Sequence, residues 1–352
     1  MPLGAGQFPT LGTLSRGSDR GCSGSRDPAN GMRLAGDPPR GAERTAPPTE
    51  EGPDVSHRND HRRPVRRLLR TTIATLPALL LAAAPAAGLA ATITVPDDVT
   101  SVRDAVEGAG PGDVIRVRPG IYAERVRIEN GQTGLVLEAF DEGGLGDRPV
   151  LTPDPTDDGI RVKDVTGVTI RGFEIQGGSH GVRLEKSDGS QVLEVKSTGS
   201  REGIRVKQST GVTISDCEVQ GARSGRGIRI EQSANATVDN CTLNLNRQEG
   251  VKVVKSPGTT ISASGADENR GDGIRVIRSD GSTVSGNTTD GNTRSGIRIE
   301  VCPGTVVSGN GANDNGQYGI RVQKSAPIAS VADLTGAGNT ATGNGLLDLR
   351  VQ

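Results

Sequence analysis

Gly273-Ile274-Arg275-Val276, Gly296-Ile297-Arg298-Ile299 and Gly319-Ile320-Arg321-Val322 are three copies of one tetrapeptide, each 23 residues from the next. Working outward, the same order of Gly, β-branched, basic and aliphatic residues recurs at Gly159, Gly181, Gly203, Gly227 and Gly250. The eight glycines are spaced by 22, 22, 24, 23, 23, 23 and 23 residues. Self-similarity at such a period marks a solenoid, in which each unit buries its apolar side against its neighbours.

Within each unit the residues fall into columns. The aliphatic residues one and three places after Gly, such as Ile204 and Val206, alternate with period two and therefore point inward from one short strand. A second aliphatic column, eleven residues after each Gly, runs Ile170, Val192, Ile214, Val238, Ile261, Val284 and Val307. Each unit thus carries at least two strands and no helical stretch. Between the strands stand Ser187, Ser209, Ser233, Ser256, Ser279 and Ser325, with Cys302 in the same place, where the chain bends around a small residue. Asn246, Asn269, Asn292 and Asn315 form a further column suited to turns and to hydrogen bonds between coils. Leucine-rich repeats would need Leu at fixed places and a helical return, and hexapeptide helices would repeat at about 18 residues. The expected fold is all-β: a single-stranded right-handed parallel β-helix of about ten coils over residues 92–352, with like residues stacked at roughly 4.8 Å. Val102, Ala105 and Val106 have helical spacing, which predicts a short N-terminal helix over 101–109 capping the first coil. Residues 345–352 read as a last strand without a cap.

Composition agrees with a core of small β-branched residues: 51 Gly, three Phe, two Tyr and no Trp. Charge is balanced, 41 basic against 42 acidic, so nothing favours nucleic acid as a partner. Residues 1–63 lack apolar periodicity and read as a disordered leader. Residues 64–91 read as a signal peptide: basic residues up to Arg70, an apolar run Ile73–Ala84 broken by Pro77, then small residues including Gly88 and Ala90. The run is short for a membrane span, so export to the periplasm, cell envelope or medium is expected without a stable membrane anchor. A leader this long before a basic region raises the expectation that the true start lies at Met32 or Val65. Cys217, Cys241 and Cys302 remain beyond the signal. The first two stack in one column, as packed thiols or as a disulfide.

The segments Pro111-Gly112-Asp113-Val114-Ile115 and Pro119-Gly120-Ile121-Tyr122-Ala123-Glu124 resemble the opening of pectate lyase-like β-helix proteins. These include pectin esterases and the periplasmic family associated with carbohydrate-binding and sugar-hydrolase domains. With the repeats, the resemblance covers roughly residues 92–352. It implies the fold and a carbohydrate context, but the superfamily hosts many activities. The Asp-Phe-Ile-Phe-Gly segment of pectin esterases and the Asp-His and Arg-Pro-x-x-Arg motifs of pectate lyases are absent. Thr156-Asp157-Asp158-Gly159 and Ser179-His180-Gly181 are faintly similar to polygalacturonase motifs.

Chemistry could sit in two columns. The outward position two after each Gly is basic in every unit: Arg161, Arg183, Arg205, Arg229, Lys252, Arg275, Arg298 and Arg321. Stacked cations repel by about 1 kcal/mol per close pair in water, relieved by Glu185, Glu231 and Glu300 on the same face. The file reads either as a solvated stripe that keeps a β-surface soluble or as a ligand-binding track for a uronate polymer, whose carboxylates fit the two-pronged guanidinium. Just before Gly stand Asp158, His180 and Glu202 on consecutive coils, a catalytic candidate for acid–base cleavage of a glycosidic bond. Below them the column runs through Arg226, Glu249 and Asp272, ordinary turn composition. Asp154, Asp157 and Asp158 could bind calcium or form a solvated turn; no other cofactor or metal is indicated, and copper lacks ligands. Two readings stay open. One is an exported β-helix that binds an acidic polysaccharide along its Arg-lined face, with cleavage as a lyase or glycoside hydrolase left undecided. The other is a non-catalytic structural or surface interaction module of the cell envelope, favoured by the regular repeats and the lack of aromatic residues for sugar stacking. Residues 140–158, the one irregular stretch, would wall the site or join the first coil to the repeats.

Overall fold

The structure is a computed structural model that describes residues 90–129, 131–140 and 147–352. The leader and all but the last two residues of the signal peptide lie outside the described residues. Strands wind into a parallel solenoid of about ten turns. Among the described residues, two ten-stranded sheets and one five-stranded sheet form its faces.

The Gly-Ile-Arg-Val segments make one sheet, here the arginine sheet, with Ile160, Val182, Ile204 and Ile228 in register on successive strands. The second aliphatic column lies on the second sheet, where Ile170, Val192, Ile214 and Val238 stack. A third sheet, not resolved by the repeat pattern, runs from Gly120–Tyr122 to Glu218–Gln220. Beyond it the pairing thins to single bridges from Thr242 to Thr340. Inward residues of both aliphatic columns are fully buried, as the period-two reading requires.

The bends are built from the small polar columns. Ser209 Oγ accepts the backbone N–H of Ser187 at 2.9 Å and donates to the carbonyl of Lys207, and the pattern repeats through Ser233, Ser256 and Ser279. Cys302 Sγ takes the same place for the N–H of Ser279. The residue before each of these takes a left-handed backbone, from Lys186 to Lys324, including the β-branched Val301 at φ 54°. The buried Asn246, Asn269, Asn292 and Asn315 and the half-buried Asn344 form an unbroken ladder, each Oδ1 after the first accepting the backbone N–H of the Asn before it at 2.9 Å. Buried turns therefore leave few polar groups unpaired, which a narrow core cannot tolerate.

At the N-terminal side the helix Val102–Gly108 buries Val102, Ala105 and Val106. Glu124 accepts from Ser101 Oγ and from the N–H groups of Val102 and Arg103 at 2.8–3.0 Å, so the Glu of the Gly-Ile-Tyr-Ala-Glu segment anchors the helix start. At the other side Leu347–Val351 pairs only with Tyr318–Gln323 among the described strands and leaves Leu347 half exposed. The last coil also carries a six-residue helix, Val331–Gly336, that the sequence pattern did not predict. Cys217, Cys241 and Cys302 are buried free thiols.

Candidate functional site: the arginine face and its corner

The parallel register of the arginine sheet puts its outward basic residues in one file. The file is longer than the repeats indicate: Arg127 precedes Arg161, and Arg350 follows Arg321. Neither Arg127 nor Arg350 follows a Gly-Ile or Gly-Val pair, so the repeat signal passed over them. The file is extensively neutralised. Glu185 bridges Arg161 and Arg183 at 3.9 and 2.9 Å, Glu231 holds Arg205 at 3.1 Å and also Arg229, and Glu300 holds Arg275 at 2.9 Å and also Arg298. Each acid thus clamps two adjacent coils.

The column before Gly is a second line of charge, and it is buried. His180 Nδ1 lies 2.7 Å from Asp158 Oδ1, and Nε2 lies 3.4 Å from Glu202 Oε2 without hydrogen-bond geometry. Burial penalises the imidazolium, yet both carboxylates together raise the His180 pKa. Burial also pushes the acids up, but His180, with Arg183 and Arg161 on one side and Arg229 and Arg226 on the other, holds Asp158 below its usual value and Glu202 at about 2. The sequence candidates Asp158, His180 and Glu202 therefore meet as one contact chain. Its side chains are 6–13% exposed, with His180 the least.

The alternation continues where the sequence suggested only turn composition. Arg226 bridges Glu202 at 3.2 Å and Glu249 at 2.8 Å, and Glu249 also meets Lys252 and Arg275. At Asp272 the pattern ends: burial raises its pKa against the nearby arginines, and one oxygen, Oδ2, has no hydrogen-bond partner. Along six coils the column reads acid, base, acid, base, acid, acid.

Three concavities open along this corner. Asp158 borders one of about 200 Å³ with Arg125, Arg127 and Arg183. Glu202 and Arg226 border a second of about 300 Å³, and Arg226 and Glu249 a third of about 290 Å³. His180 borders none of these three. Asp157 is engaged by Arg125 at 2.7 Å and Asp158 by His180, while Asp154 is exposed, and among the described residues no group of three or more His, Cys, Asp or Glu is placed to hold a metal ion. Within residues 140–158, Pro149–Leu151 is a strand of the third sheet and residues 141–146 lie outside the described residues.

Residues 202–347 match the family described as "Right handed beta helix region". The fold is a right-handed parallel β-helix. Among solved structures the β-helix is similar to the A-module of the Azotobacter vinelandii mannuronan C-5 epimerase AlgE6, with 16% identity over 71% of this chain and 92% of that one and a TM-score of 0.53. It is also similar to an alginate lyase from Paenibacillus sp. str. FPU-7, with 13% identity over 74% and 98% of the two chains and a TM-score of 0.52. Pectate lyase Pel9A shares 13% identity over 74% of this chain and 76% of that one, with a TM-score of 0.50. No curated protein matches the chain. Among the described residues of the β-helix no helix is long and apolar enough to cross a membrane.

Proposed function

We propose that this β-helix is an exported protein that binds an acidic polysaccharide along its arginine face. The observation that carries the reading is the basic residue found at one outward position on every strand of one sheet, from Arg127 to Arg350, beside polar concavities. A repeating ligand is the natural match for a repeating surface: an extended sugar chain advances per sugar about as far as the solenoid does per coil, ~4.8 Å. Guanidinium groups pair with carboxylates in two-pronged fashion. Similarity to proteins named for pectate, alginate and mannuronan supports this ligand class.

Catalysis by Asp158, His180 and Glu202 is the narrower form of the proposal. In its favour is the paired acid–imidazole geometry; against it, both imidazole nitrogens face carboxylates and the ring is nearly enclosed. The test is binding of the protein from Ala91 onward to acidic and neutral polysaccharides at two salt concentrations, with unsaturated and reducing ends monitored. Salt-sensitive binding to uronate polymers is expected. Product formation lost in Asp158→Ala and His180→Gln would establish catalysis. Equal binding to neutral polymers, or none, would overturn the reading in favour of a structural module.

A further inference from the structure

The arginine face holds cations of two kinds. Six of those in file on the sheet are clamped in pairs by Glu185, Glu231 and Glu300, whereas Arg201, Arg247, Arg270 and Arg294, at the corner before the sheet, are exposed and make no ion pair among the described residues. They rim the second and third concavities.

The shape of the corner follows from one column. Backbone hydrogen bonds step from Gln248 to Gly225, from Gly271 to Gln248 and from Arg294 to Gly271, and Ser224 steps to Arg201 in the coil before. From Gly225 onward glycine therefore alternates with a long side chain, Gly225, Gln248, Gly271, Arg294, and on the other side of Gly225, across the longer 24-residue coil, lies Arg201, whose carbonyl is beside it. The gap over Gly225, between Arg201 and Gln248, is the second concavity, and the gap over Gly271, between Gln248 and Arg294, is the third. A side chain cannot refill either gap: a Cβ at Gly225 would stand 2.7 Å from the carbonyl oxygen of Arg201, and one at Gly271 would stand 2.6 Å from the carbonyl carbon of Gln248. Two near-equal hollows, about 300 and 290 Å³, thus repeat every second coil, at about 10 Å, twice the inter-strand spacing.

We infer that these hollows are paired carboxylate subsites, each taking an acid group from alternate sugars of an extended uronate chain. This rests on the acidic-polysaccharide reading and makes it specific. A ribbon-like uronate polymer turns successive sugars to opposite sides, so carboxylates on one side recur once per disaccharide, the period of the hollows. Arg201 supplies an unpaired guanidinium to the first of these hollows, Arg247, Arg270 and Arg294 supply theirs to the other, and Gln248 forms the wall they share. The clamped arginines of the sheet then serve mainly to hold coils together.

The test is calorimetric titration of the protein from Ala91 onward with mannuronate oligomers of two to six sugars, comparing wild type with Arg201→Ala, Arg294→Ala and the double variant. Neither side chain has a partner among the described residues, so the variants should keep the wild-type melting temperature. Wild-type affinity should step up once an oligomer reaches both hollows. Each single variant should lose roughly tenfold, as for one charge-assisted contact, and the double variant should lose more than either and show no step, with Arg247 and Arg270 left to hold the remainder. If wild type binds and the double variant binds equally well, the subsites are wrong while the polysaccharide reading stands. If wild type binds no uronate oligomer or polymer, both are wrong.

Discussion

His180 joins three coils: its Nδ1 meets Asp158 Oδ1 of the coil before at 2.7 Å, and its Nε2 faces Glu202 Oε2 of the coil after at 3.4 Å. The raised His180 pKa means the imidazolium stabilises the fold fully below about 6.5, its unfolded value, and that this is lost as pH rises through the higher folded value. The lowered acids act in the other direction: their stabilisation is present above roughly 4 and is lost as pH falls, for Glu202 only towards about 2. The difference in melting temperature between wild type and His180→Gln should therefore be largest between about pH 4 and 6.5. A difference that does not vary with pH would contradict the chain of contacts.

The serine column makes a prediction about atoms rather than size. Ser256 Oγ accepts the buried N–H of Ser233 at 3.1 Å, so Ser256→Ala strands that donor and should cost about 1–3 kcal/mol in urea unfolding. Ser256→Cys should cost less, because Cys302 already serves Ser279 in the same way. Equal losses would mean that packing, not hydrogen bonding, decides the position.

Val301 is β-branched, 45% exposed and left-handed at φ 54°, where equivalent coils carry Asp, Lys, Gln or Arg. Val301→Asn should stabilise the protein by about 1 kcal/mol, since Asn tolerates that backbone region far better. An unchanged or lowered unfolding midpoint would refute this.

Removing the clamp on two file arginines should free them for ligand. Glu231→Gln releases Arg205 and Arg229, so affinity for a uronate polymer at low salt should rise a few-fold while stability falls slightly. Weaker binding would show that Glu231 orients these side chains for the ligand.

Thiol chemistry checks the interior. Cys217, Cys241 and Cys302 are all buried, so the three thiols of the protein from Ala91 onward should be unreactive when folded and all titrate in denaturant without reductant. One thiol under those conditions would mean a Cys217–Cys241 disulfide.

The fold was readable because each column recurs from coil to coil, the Gly-centred one eight times, so that Ile204 or Ser256 is interpreted by its equivalents rather than alone. The site was less so. Arg127 and Arg350 lack the preceding Gly-Ile or Gly-Val pair. The corner arginines hold no constant distance from Gly: Arg201 and Arg294 lie two residues before it, Arg247 and Arg270 three. At a corner, moreover, alternation no longer tells which way a side chain points. Arg226 and Glu249 therefore looked like turn residues, when their burial makes them successive members of one charge ladder. The helix Val331–Gly336 was hidden because it is an excursion: Asn315 and Asn344 are 29 residues apart, not 23, yet still bonded as neighbours.

That last bond has a consequence for how such a chain can change in length. From Asn246 onward the Asn column and the Ser column each bond to their own equivalents in the next coil, so the stack has a natural unit of insertion and deletion. Losing one residue from a coil would break three ladders at once. Losing a whole coil, 23 residues from Gly250 to Asp272, would rejoin Asn246 to Asn292 and Ser233 to Ser279 as like to like. It would also remove the glycine at 271 and the hollow above it, so in this protein the reach of the surface along a polymer is written in the number of coils.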